Sequence, residues 1–335
     1  MGVPLRQSLR LAAYLIHQRV VGREKFPLLV ELEPLFACNL ACAGCGKIQY
    51  PPQILKQRMS VAQAVTAIEE SGAPMVSIAG GEPLIHPEIH LIVRELIRRR
   101  RFVYLCTNGL LMRQKMHLFE PSPYFAWAVH VDGLQERHDE SVCRKGVFDE
   151  VVKAILEAKR RGFRVTTNTT VFSHDTPEMV RAVLDFLNDE LQVDGMMISP
   201  AYAYSKAPDQ EHFLGVEQTR KLFREVFANG RRQRWRLNHT PLFLDFLEGK
   251  VDFACTAWGI PCYTIFGWQR PCYLMSDDGY AQTYQELIET TDWDRYGRGR
   301  HPQCANCMAH CGYEPTAVLT ATRSLRESLR ALLRR

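Results

Sequence analysis

The chain has 335 residues, of which 46% are hydrophobic and 24% are charged, a composition that lets one large or two modest domains bury a sizeable core. This composition excludes a disordered chain, a collagen and a coiled coil. The formal net charge is +5, a mild basic excess that suits an anionic surface without requiring one, and we expect no nucleic-acid partner.

The first predicted element is a basic amphipathic helix at residues 5–21. Its apolar residues recur at helical spacing on one face, which we expect to pack on the helix's own domain; they are Leu5, Leu9, Ala12, Ala13, Ile16 and Val20. The apolar run at 11–16 is too short for a secretory signal, and no stretch approaches the roughly 18 apolar residues of a membrane span. We therefore expect a cytoplasmic protein whose eleven cysteines act as metal ligands or reactive thiols and not as disulfides.

Six β-rich runs then alternate with helical patterns, which predicts parallel strands joined by crossover helices. The predicted strands are residues 28–33, 75–79, 102–106, 125–131, 163–171 and 195–199. Ser60 with Gln63 forms a capping-box pattern at one helix start, Thr176 before Pro177 marks another, and 147–161 has one apolar face. Six such units suit an open doubly wound sheet or an incomplete barrel, and either places the chemistry at the carboxyl ends of the strands.

Three cysteines follow the first predicted strand within eight residues, Cys38, Cys42 and Cys45. A tetrahedral zinc site needs four ligands and usually takes them as Cys-x2-Cys pairs. Three closely spaced thiolates instead suit three corners of an iron–sulfur cube, which leaves the fourth iron open. A zinc knuckle and three incidental thiols are the alternatives.

The segment Gly80-Gly81-Glu82-Pro83 follows the second predicted strand. Its glycines permit close backbone approach, and Glu82 can accept hydrogen bonds from an ammonium group. With the C-x3-C-x2-C spacing, this segment resembles the radical S-adenosylmethionine superfamily. The resemblance implies an α/β fold with a partial (β/α)6 TIM-type barrel, a 4Fe–4S cluster on the three cysteines, S-adenosylmethionine at the open iron, and a reductant such as flavodoxin or ferredoxin.

Polar residues at the ends of later strands are further candidates for binding S-adenosylmethionine. The superfamily uses such residues for the ribose, the carboxylate or the adenine, and each is otherwise an ordinary loop residue. They are Asn108, Asp132, Asn168 and Ser199. Arg144 is either a partner of the methionyl carboxylate or a surface residue.

Cys106 ends an apolar run at 102–105, so we expect it at or just inside the mouth of the barrel. A free cysteine is often only a small core residue. The catalytic alternative rests on the weak S–H bond of a thiol, which can give a hydrogen atom to a carbon radical. A reaction that ends in net reduction requires such a donor.

Beyond about residue 210 the alternation stops, and a helical stretch at 216–230 leads into a cysteine-rich region. Four thiols there match a closed metal site, either an auxiliary iron–sulfur cluster or a structural zinc; they are Cys272, Cys304, Cys307 and Cys311. Cys255, Cys262 and His310 are nearby competitors, and reduced free thiols are the alternative. We predict a helix at 1–25, a barrel at 26–210 and a cysteine-rich C-terminal extension at 211–322.

A second basic amphipathic helix is predicted at 323–335, with four leucines on one face and five arginines against one glutamate. Such a helix can lie in the headgroup layer of an anionic membrane, where each basic residue contributes about 1 kcal/mol. The basic helix at 5–21 is the other membrane candidate, and the C-terminal helix is the better of the two. We therefore expect peripheral association with the inner face of the membrane through this segment.

A longer resemblance connects the chain to the adenosylhopane synthases of hopanoid biosynthesis. It runs through Glu31-Leu32-Glu33-Pro34 and His138-Asp139 into residues 266–274, and continues through 291–294 and 311–315. This resemblance implies that a 5′-deoxyadenosyl radical adds to the terminal alkene carbon of diploptene. The tertiary radical that remains must then be reduced, the step for which Cys106 is the candidate.

A pentacyclic hydrocarbon offers no hydrogen-bonding group, so its site should be an apolar and aromatic tunnel. The candidate lining residues, each of which is equally consistent with an ordinary core position, are Trp127, Tyr202, Tyr204, Trp258, Phe266 and Trp268. Two other functions are kept as alternatives. One is a radical enzyme that modifies peptides, and the other is a non-catalytic, metal-stabilised lipid-binding protein.

Overall fold

The computed structural model describes residues 2–275 and 278–323, and strands within these ranges form one sheet. The strands are β1 Leu29–Glu33, β2 Met75–Ile78, β3 Phe102–Thr107, β4 Phe125–His130, β5 Arg164–Val171, β6 Gly195–Pro200, β7 Cys262–Thr264, β8 Gly267–Gln269 and β9 Tyr280–Ala281. The helices are α1 Leu5–Val20, α2 Pro52–Leu55, α3 Val61–Ser71, α4 Ile89–Arg98, α5 Met112–Lys115, α6 Gln135–Ser141, α7 Val147–Arg160, α8 Pro177–Asp185, α9 Val216–Val226, α10 Pro241–Leu247, α11 Tyr284–Thr290 and α12 His310–Arg323.

All six predicted strands form, each with one end shifted by a single residue. They lie side by side in chain order from β1 to β6, and each is parallel to its neighbours. A doubly wound sheet would reverse its strand order at a switch point. The unbroken order therefore selects the incomplete barrel, as the resemblance implied.

The helix starts follow the local capping chemistry. Ser60 Oγ accepts from the backbone N–H of Gln63 at 3.2 Å, and the Gln63 side chain accepts from the backbone N–H of Ser60 at 2.8 Å. The Thr176 hydroxyl accepts from the Met179 N–H at 3.3 Å, with Pro177 in the first turn. Each cap satisfies backbone donors that a helix start leaves without partners, so both predicted starts are confirmed.

The cysteine-rich extension joins the barrel sheet beside β1. Strand β7 is parallel to β1, with Cys262 beside Glu31, and β8 and β9 continue the sheet in antiparallel fashion. These strands have only two or three residues each, too few to show a period in the sequence. The extension therefore adds strands to the barrel sheet beside β1, the strand that precedes Cys38, Cys42 and Cys45.

The core lies between the outer surface of the sheet and the helices. Trp127 on β4 is fully buried there, with its ring centroid 4.9 Å from Phe119 and 6.0 Å from Phe163. Trp268 is also fully buried, and its indole N–H donates to Glu70 of α3. Both tryptophans therefore match the alternative of ordinary core residues, and neither lines a cavity described below.

Helix α1 forms where predicted but is turned the other way. Leu15 is 3% exposed and packs with Phe26 and Leu28, and the glutamines of α1 are also buried. The predicted apolar face points outward, with Leu9 and Ile16 each 61% exposed. Within the described part of the chain every helix is too short or too polar to span a bilayer. Residues 324–335 of the predicted terminal helix lie outside the described residues.

Candidate functional site

The three cysteines of the C-x3-C-x2-C spacing lie in an irregular loop, the cysteine loop, which follows the carboxyl end of β1. Burial raises the pKa of the Cys38 thiol to about 11, with Glu82 and Cys45 adding to the shift. Burial also raises the pKa of Cys42, with Cys45 as the next contribution. The three thiols are therefore close enough for the charge of one to affect the pKa of another. Among the described residues, however, no three His, Cys, Asp or Glu side chains form a ready-made metal site.

The Gly80-Gly81-Glu82 segment clamps this loop in place. Its backbone N–H groups donate to the loop, from Gly81 to Leu35 O at 3.0 Å and from Glu82 to Ala37 O at 2.9 Å. A Cβ on Gly81 would lie 2.1 Å from the Ala37 oxygen, a distance that only glycine avoids. The close backbone approach expected of the glycines is therefore made to the segment that leads into Cys38.

Glu82 is buried and already accepts three hydrogen bonds from the protein. Oε1 accepts from the Leu84 N–H at 3.0 Å and the Thr107 hydroxyl at 2.9 Å, and Oε2 accepts from the Asn108 N–H at 2.8 Å. Burial raises its pKa to about 7, although these donors lower it. A carboxylate has about four acceptor positions, so Oε2 keeps one for a single ligand N–H.

Asn108 connects this clamp to the cysteine loop. Its side-chain amide donates to Asn39 Oδ1 at 2.8 Å and lies 3.7 Å from Cys38 Sγ. The structure thus brings the predicted residues Glu82 and Asn108 together with Cys38 at the carboxyl ends of β1 and β3. An amide N–H beside a metal-bound thiolate orients the ligand and tunes its charge.

Asp132 lies just beyond the end of β4, and each of its carboxylate oxygens has one partner. Oδ1 accepts from the Thr170 N–H at 2.8 Å, and Oδ2 lies 2.8 Å from His130 Nε2. Burial opposes the charged forms, yet the pair holds the pKa of His130 above and that of Asp132 below their ordinary values. Asp132 therefore positions His130, which the sequence analysis did not identify. Ser199, at the end of β6, makes a weak contact of 3.4 Å with Pro200 O.

Arg137 is a further residue that the sequence did not indicate. It is 8% exposed, its Nε donates to Asp175 at 2.6 Å, and its guanidinium lies 5.3 Å from the Phe172 ring centroid. The same ring lies directly against Gly44 of the cysteine loop. Arg137 Nη2 is buried without a partner among the described residues. Arg144, the sequence candidate, is exposed, so Arg137 is the better match for a carboxylate ligand.

Cys106 faces the barrel interior on β3. Its Sγ lies 3.4 Å from Ser77 Oγ on β2, and the Asn168 side-chain amide on β5 donates to it at 3.7 Å. Burial raises the pKa of this thiol to about 12, so it keeps its hydrogen at neutral pH. Asn168 Oδ1 is buried without a partner in the described structure. The two predicted residues therefore form one polar group within the barrel.

A buried charge pair completes the interior wall near β1. Lys47 Nζ lies 3.1 Å from Glu33 Oε1, donates to Tyr273 O at 2.9 Å, and lies 4.2 Å from the Tyr273 ring centroid. Burial raises the pKa of the neighbouring Glu31 to about 8, and Glu33 adds to the shift. Sequence patterns did not indicate this cluster, because Lys47 and Tyr273 come together only in the folded chain.

The main cavity opens beside this cluster, with a volume of about 290 Å³. Loops from the barrel and segments of the extension line it, including residues 46–47, 201–206 and 302–303. Its aromatic residues are Tyr50, Tyr202, Tyr204, Phe213 and Tyr273. Of the six predicted lining residues, Tyr202 and Tyr204 lie here, and Trp127, Trp258, Phe266 and Trp268 do not.

The extension gathers five thiols around a second, smaller cavity of about 30 Å³. These are the four predicted cysteines together with one predicted competitor: Cys255, Cys272, Cys304, Cys307 and Cys311. Burial raises the pKa of Cys307 to about 12, and Cys272 and Cys304 add to the shift. Cys262 lies instead beside Glu33 and Lys47, and His310 lies near His239. Cys255 is therefore the competitor that the fold brings to this group.

Two family models match the chain one after the other. Residues 32–187 match the radical SAM superfamily, and residues 196–331 match a domain of unknown function, DUF3463. The chain therefore carries a radical SAM domain, whose cofactors are a 4Fe–4S cluster and S-adenosylmethionine, and the superfamily resemblance is confirmed. The cysteine loop, the free acceptor position of Glu82 and the unpartnered Arg137 Nη2 fit these cofactors.

Curated relatives of the chain have several activities. GTP 3′,8-cyclase 1 of Mycobacterium tuberculosis is 25% identical over 168 residues, 47% of each chain. The AdoMet-dependent heme synthase of Methanosarcina barkeri is 26% identical over 167 residues, 48% of each chain. The chain thus spans about half the length of these relatives.

Solved structures share the fold over most of the chain. Streptococcus suis SuiB has a TM-score of 0.66 at 16% identity, covering 96% of this chain and 79% of SuiB. Native anSMEcpe with bound AdoMet has a TM-score of 0.58 at 20% identity, covering 80% and 82% of the two chains. These likenesses support the radical SAM barrel with its extension.

Proposed function

We propose that this chain is an adenosylhopane synthase, which joins the 5′-deoxyadenosyl group to the terminal alkene carbon of diploptene. The cluster and S-adenosylmethionine supply the 5′-deoxyadenosyl radical when they are bound. The observation that carries the proposal is the position of Cys106, a protonated thiol inside the barrel between Ser77 and Asn168. Radical addition to an alkene needs such a hydrogen donor, whereas a reaction that begins and ends with hydrogen abstraction does not.

In this proposal Cys38, Cys42 and Cys45 hold the cluster, and the surrounding polar residues hold S-adenosylmethionine. Glu82 accepts one N–H of the methionyl ammonium at its remaining position, and the free Nη2 of Arg137 meets the carboxylate. The other residues with a proposed part in holding S-adenosylmethionine are Gly80, Gly81, Asn108, Asp132, Asn168 and Ser199. Asp132 also orients His130 through Oδ2, and each of its carboxylate oxygens keeps one acceptor position for the cofactor.

Cys106 completes the proposed reaction by reducing the product radical. The new carbon–carbon bond uses one electron of the alkene pair and leaves the other on a tertiary carbon. The Cys106 S–H bond breaks to give that carbon a hydrogen atom, and a sulfur radical remains. An electron from a reductant such as flavodoxin or ferredoxin, with a proton, restores the thiol.

The main cavity is the proposed substrate site. Its aromatic rings can cover an apolar polycycle, and it opens beside the barrel interior that contains Lys47 and Glu33. The group of five cysteines shares Tyr202 and Cys307 with this cavity. An auxiliary cluster or a zinc held there would shape the cavity wall. Because the substrate dissolves in the bilayer, peripheral association with the membrane is part of the proposal.

A peptide-modifying radical enzyme is the second candidate function. The same cavity includes the polar side chains of Lys47, Lys206 and Gln269, which a hydrocarbon does not use. The solved SuiB structures include one bound to its precursor peptide SuiA, with a TM-score of 0.65. Cys106 distinguishes the two functions, because the modification of a peptide does not require a hydrogen-atom donor at this position.

The decisive experiment is anaerobic reconstitution with S-adenosylmethionine, reductant and diploptene, followed by mass analysis. Adenosylhopane is the expected product and supports the proposed function. Formation of 5′-deoxyadenosine without adenosylhopane would overturn the substrate assignment and favour the peptide alternative. If neither product forms in protein with a full 4Fe–4S cluster, the chain is better explained as a metal-stabilised lipid-binding protein.

A further inference from the structure

We propose that the outward face of α1 is a docking surface for an anionic lipid bilayer. Its apolar residues form one stripe, the α1 stripe: Leu5, Leu9, Ala12, Ala13, Ile16 and Val20. All six are exposed, and Val20 reaches 80%. Of the nine large apolar side chains exposed in the described part of the chain, five lie within residues 5–21. Such a concentration marks an interaction surface, whereas single exposed apolar residues are ordinary.

The opposite face of α1 fixes the helix in this orientation. The Gln7 side-chain amide contacts Met75 Sδ at 3.2 Å, and the Tyr104 hydroxyl donates to Gln7 Oε1 at 2.9 Å. The Tyr14 hydroxyl donates to Pro27 O at 2.8 Å. Turning the helix to bury its stripe would break these contacts and expose Leu15. The α1 stripe is therefore held outward by the fold.

Charge on α1 selects the partner. The helix carries Arg6, Arg10, His17 and Arg19 and has no aspartate or glutamate. At 100° per residue, Arg6 and Arg10 lie along one border of the stripe and Arg19 along the other. An apolar stripe with basic borders is the pattern of a helix in the headgroup layer, where anionic lipids attract the borders and acyl chains cover the stripe.

The end of α12 argues against a covering segment from the same chain. Arg19 donates to the carbonyl and the hydroxyl of Thr322, both at 2.8 Å, so α12 ends beside α1. Residues 324–335 lie outside the described residues, and their sequence carries four arginines and one glutamate. A net basic sequence is a poor match for the basic borders of α1 and a good match for an anionic surface. Both basic segments therefore match an anionic bilayer better than they match each other.

The docking surface is separate from the candidate active site. Helix α1 packs against the amino-terminal ends of the strands, through Met75 at the start of β2 and through Tyr124 just before β4. The cysteine loop lies at the opposite, carboxyl ends. Substitutions in the α1 stripe therefore change membrane binding without touching the residues proposed for catalysis, and the inference does not depend on the identity of the substrate.

The test is co-sedimentation of the full chain with vesicles of phosphatidylcholine and phosphatidylglycerol at low and high salt. We expect binding that weakens with salt. Binding should fall about tenfold or more in Leu9→Glu/Ile16→Glu, since two apolar side chains that would be buried among the acyl chains are replaced by charged ones. Arg10→Glu should weaken binding about fivefold or more on anionic vesicles. Leu156→Glu is the matched control, because Leu156 is 49% exposed on α7, and it should bind as the unmodified chain does.

Several results would overturn the inference. One is no binding at low salt, and another is equal binding by Leu9→Glu/Ile16→Glu and the unmodified chain. Stronger binding after removal of residues 324–335 would show that this segment covers the α1 stripe. A dimer that becomes a monomer in Leu9→Glu/Ile16→Glu would assign the stripe to a second copy. Both substituted side chains are exposed, so a thermal melt should confirm that the variant folds.

Discussion

Replacing Gly81 by alanine should weaken both the fold around the cysteine loop and its hold on iron. The new Cβ would lie 2.1 Å from the Ala37 oxygen and 2.5 Å from the Phe36 oxygen. An ordinary contact begins near 3.4 Å, so the backbone must move by about 1.3 Å. Ala37 directly precedes Cys38, and this movement therefore displaces the first cysteine of the loop.

The size of the effect follows from this forced shift. Overpacking of this kind costs about 1–3 kcal/mol. An unfolding entropy of about 2.1 cal/mol/K per residue gives about 0.7 kcal/mol/K for 335 residues. The Tm of Gly81→Ala should then fall by about 1.5–4 °C. Loss of the N–H contacts that orient the loop should weaken cluster affinity by about tenfold.

Thermal melts and iron analysis after anaerobic reconstitution measure these two effects. Gly215→Ala is the control, because its Cβ would meet nothing closer than 3.7 Å and its φ is −74°. If Gly81→Ala keeps both the Tm and the iron content of the unmodified chain, the glycine segment does not clamp the cysteine loop. A lowered Tm with unchanged iron would show that the clamp supports the fold alone.

Four other predictions follow from the site. Cys106→Ala should still cleave S-adenosylmethionine but form less saturated product than the control Cys143→Ala, by mass analysis; unchanged yield and distribution would remove its role. Glu31→Gln should raise the Tm more at pH 9 than at pH 5, because burial raises the pKa of Glu31 to about 8, and stability is therefore lost as the pH rises from 4.5 through 8; equal pH profiles of Tm for the two chains would contradict the assignment. In a chain without the three loop cysteines, iron, sulfide and zinc analysis should find residual metal that Cys255→Ala reduces, and no residual metal would end the second-site prediction. Arg137→Gln should weaken S-adenosylmethionine binding by about tenfold in calorimetry, whereas unaltered affinity would exclude contact with the carboxylate.

Local patterns in the sequence were enough to place the barrel strands. Each strand is a β-rich run bounded by turn residues, and the helices between them begin at caps such as Ser60 and Thr176. Parallel strands bring their carboxyl ends to one edge, so the order of the motifs along the chain already predicted that Cys38 and Glu82 would be neighbours. Local sequence patterns were therefore enough to predict most of the barrel and the cofactor motifs.

Local sequence patterns did not reveal the contacts between segments that are distant along the chain. The pairing of Lys47 with Tyr273 and the burial of Arg137 against Asp175 depend on how the extension and helix α6 pack. An arginine or lysine in a polar stretch ordinarily predicts a solvated side chain. The sequence therefore favoured exposed Arg144 over buried Arg137.

The sequence by itself determined the cofactor chemistry, because the spacing of Cys38, Cys42 and Cys45 and the Gly-Gly-Glu-Pro segment are local features. Only the tertiary structure decided which cysteine joins the second group and which face of α1 is buried. Helical spacing shows that α1 has two faces, but it cannot show which one meets the barrel. The contacts of Gln7 and Leu15 with the strand ends make that choice, and they leave the apolar stripe facing outward.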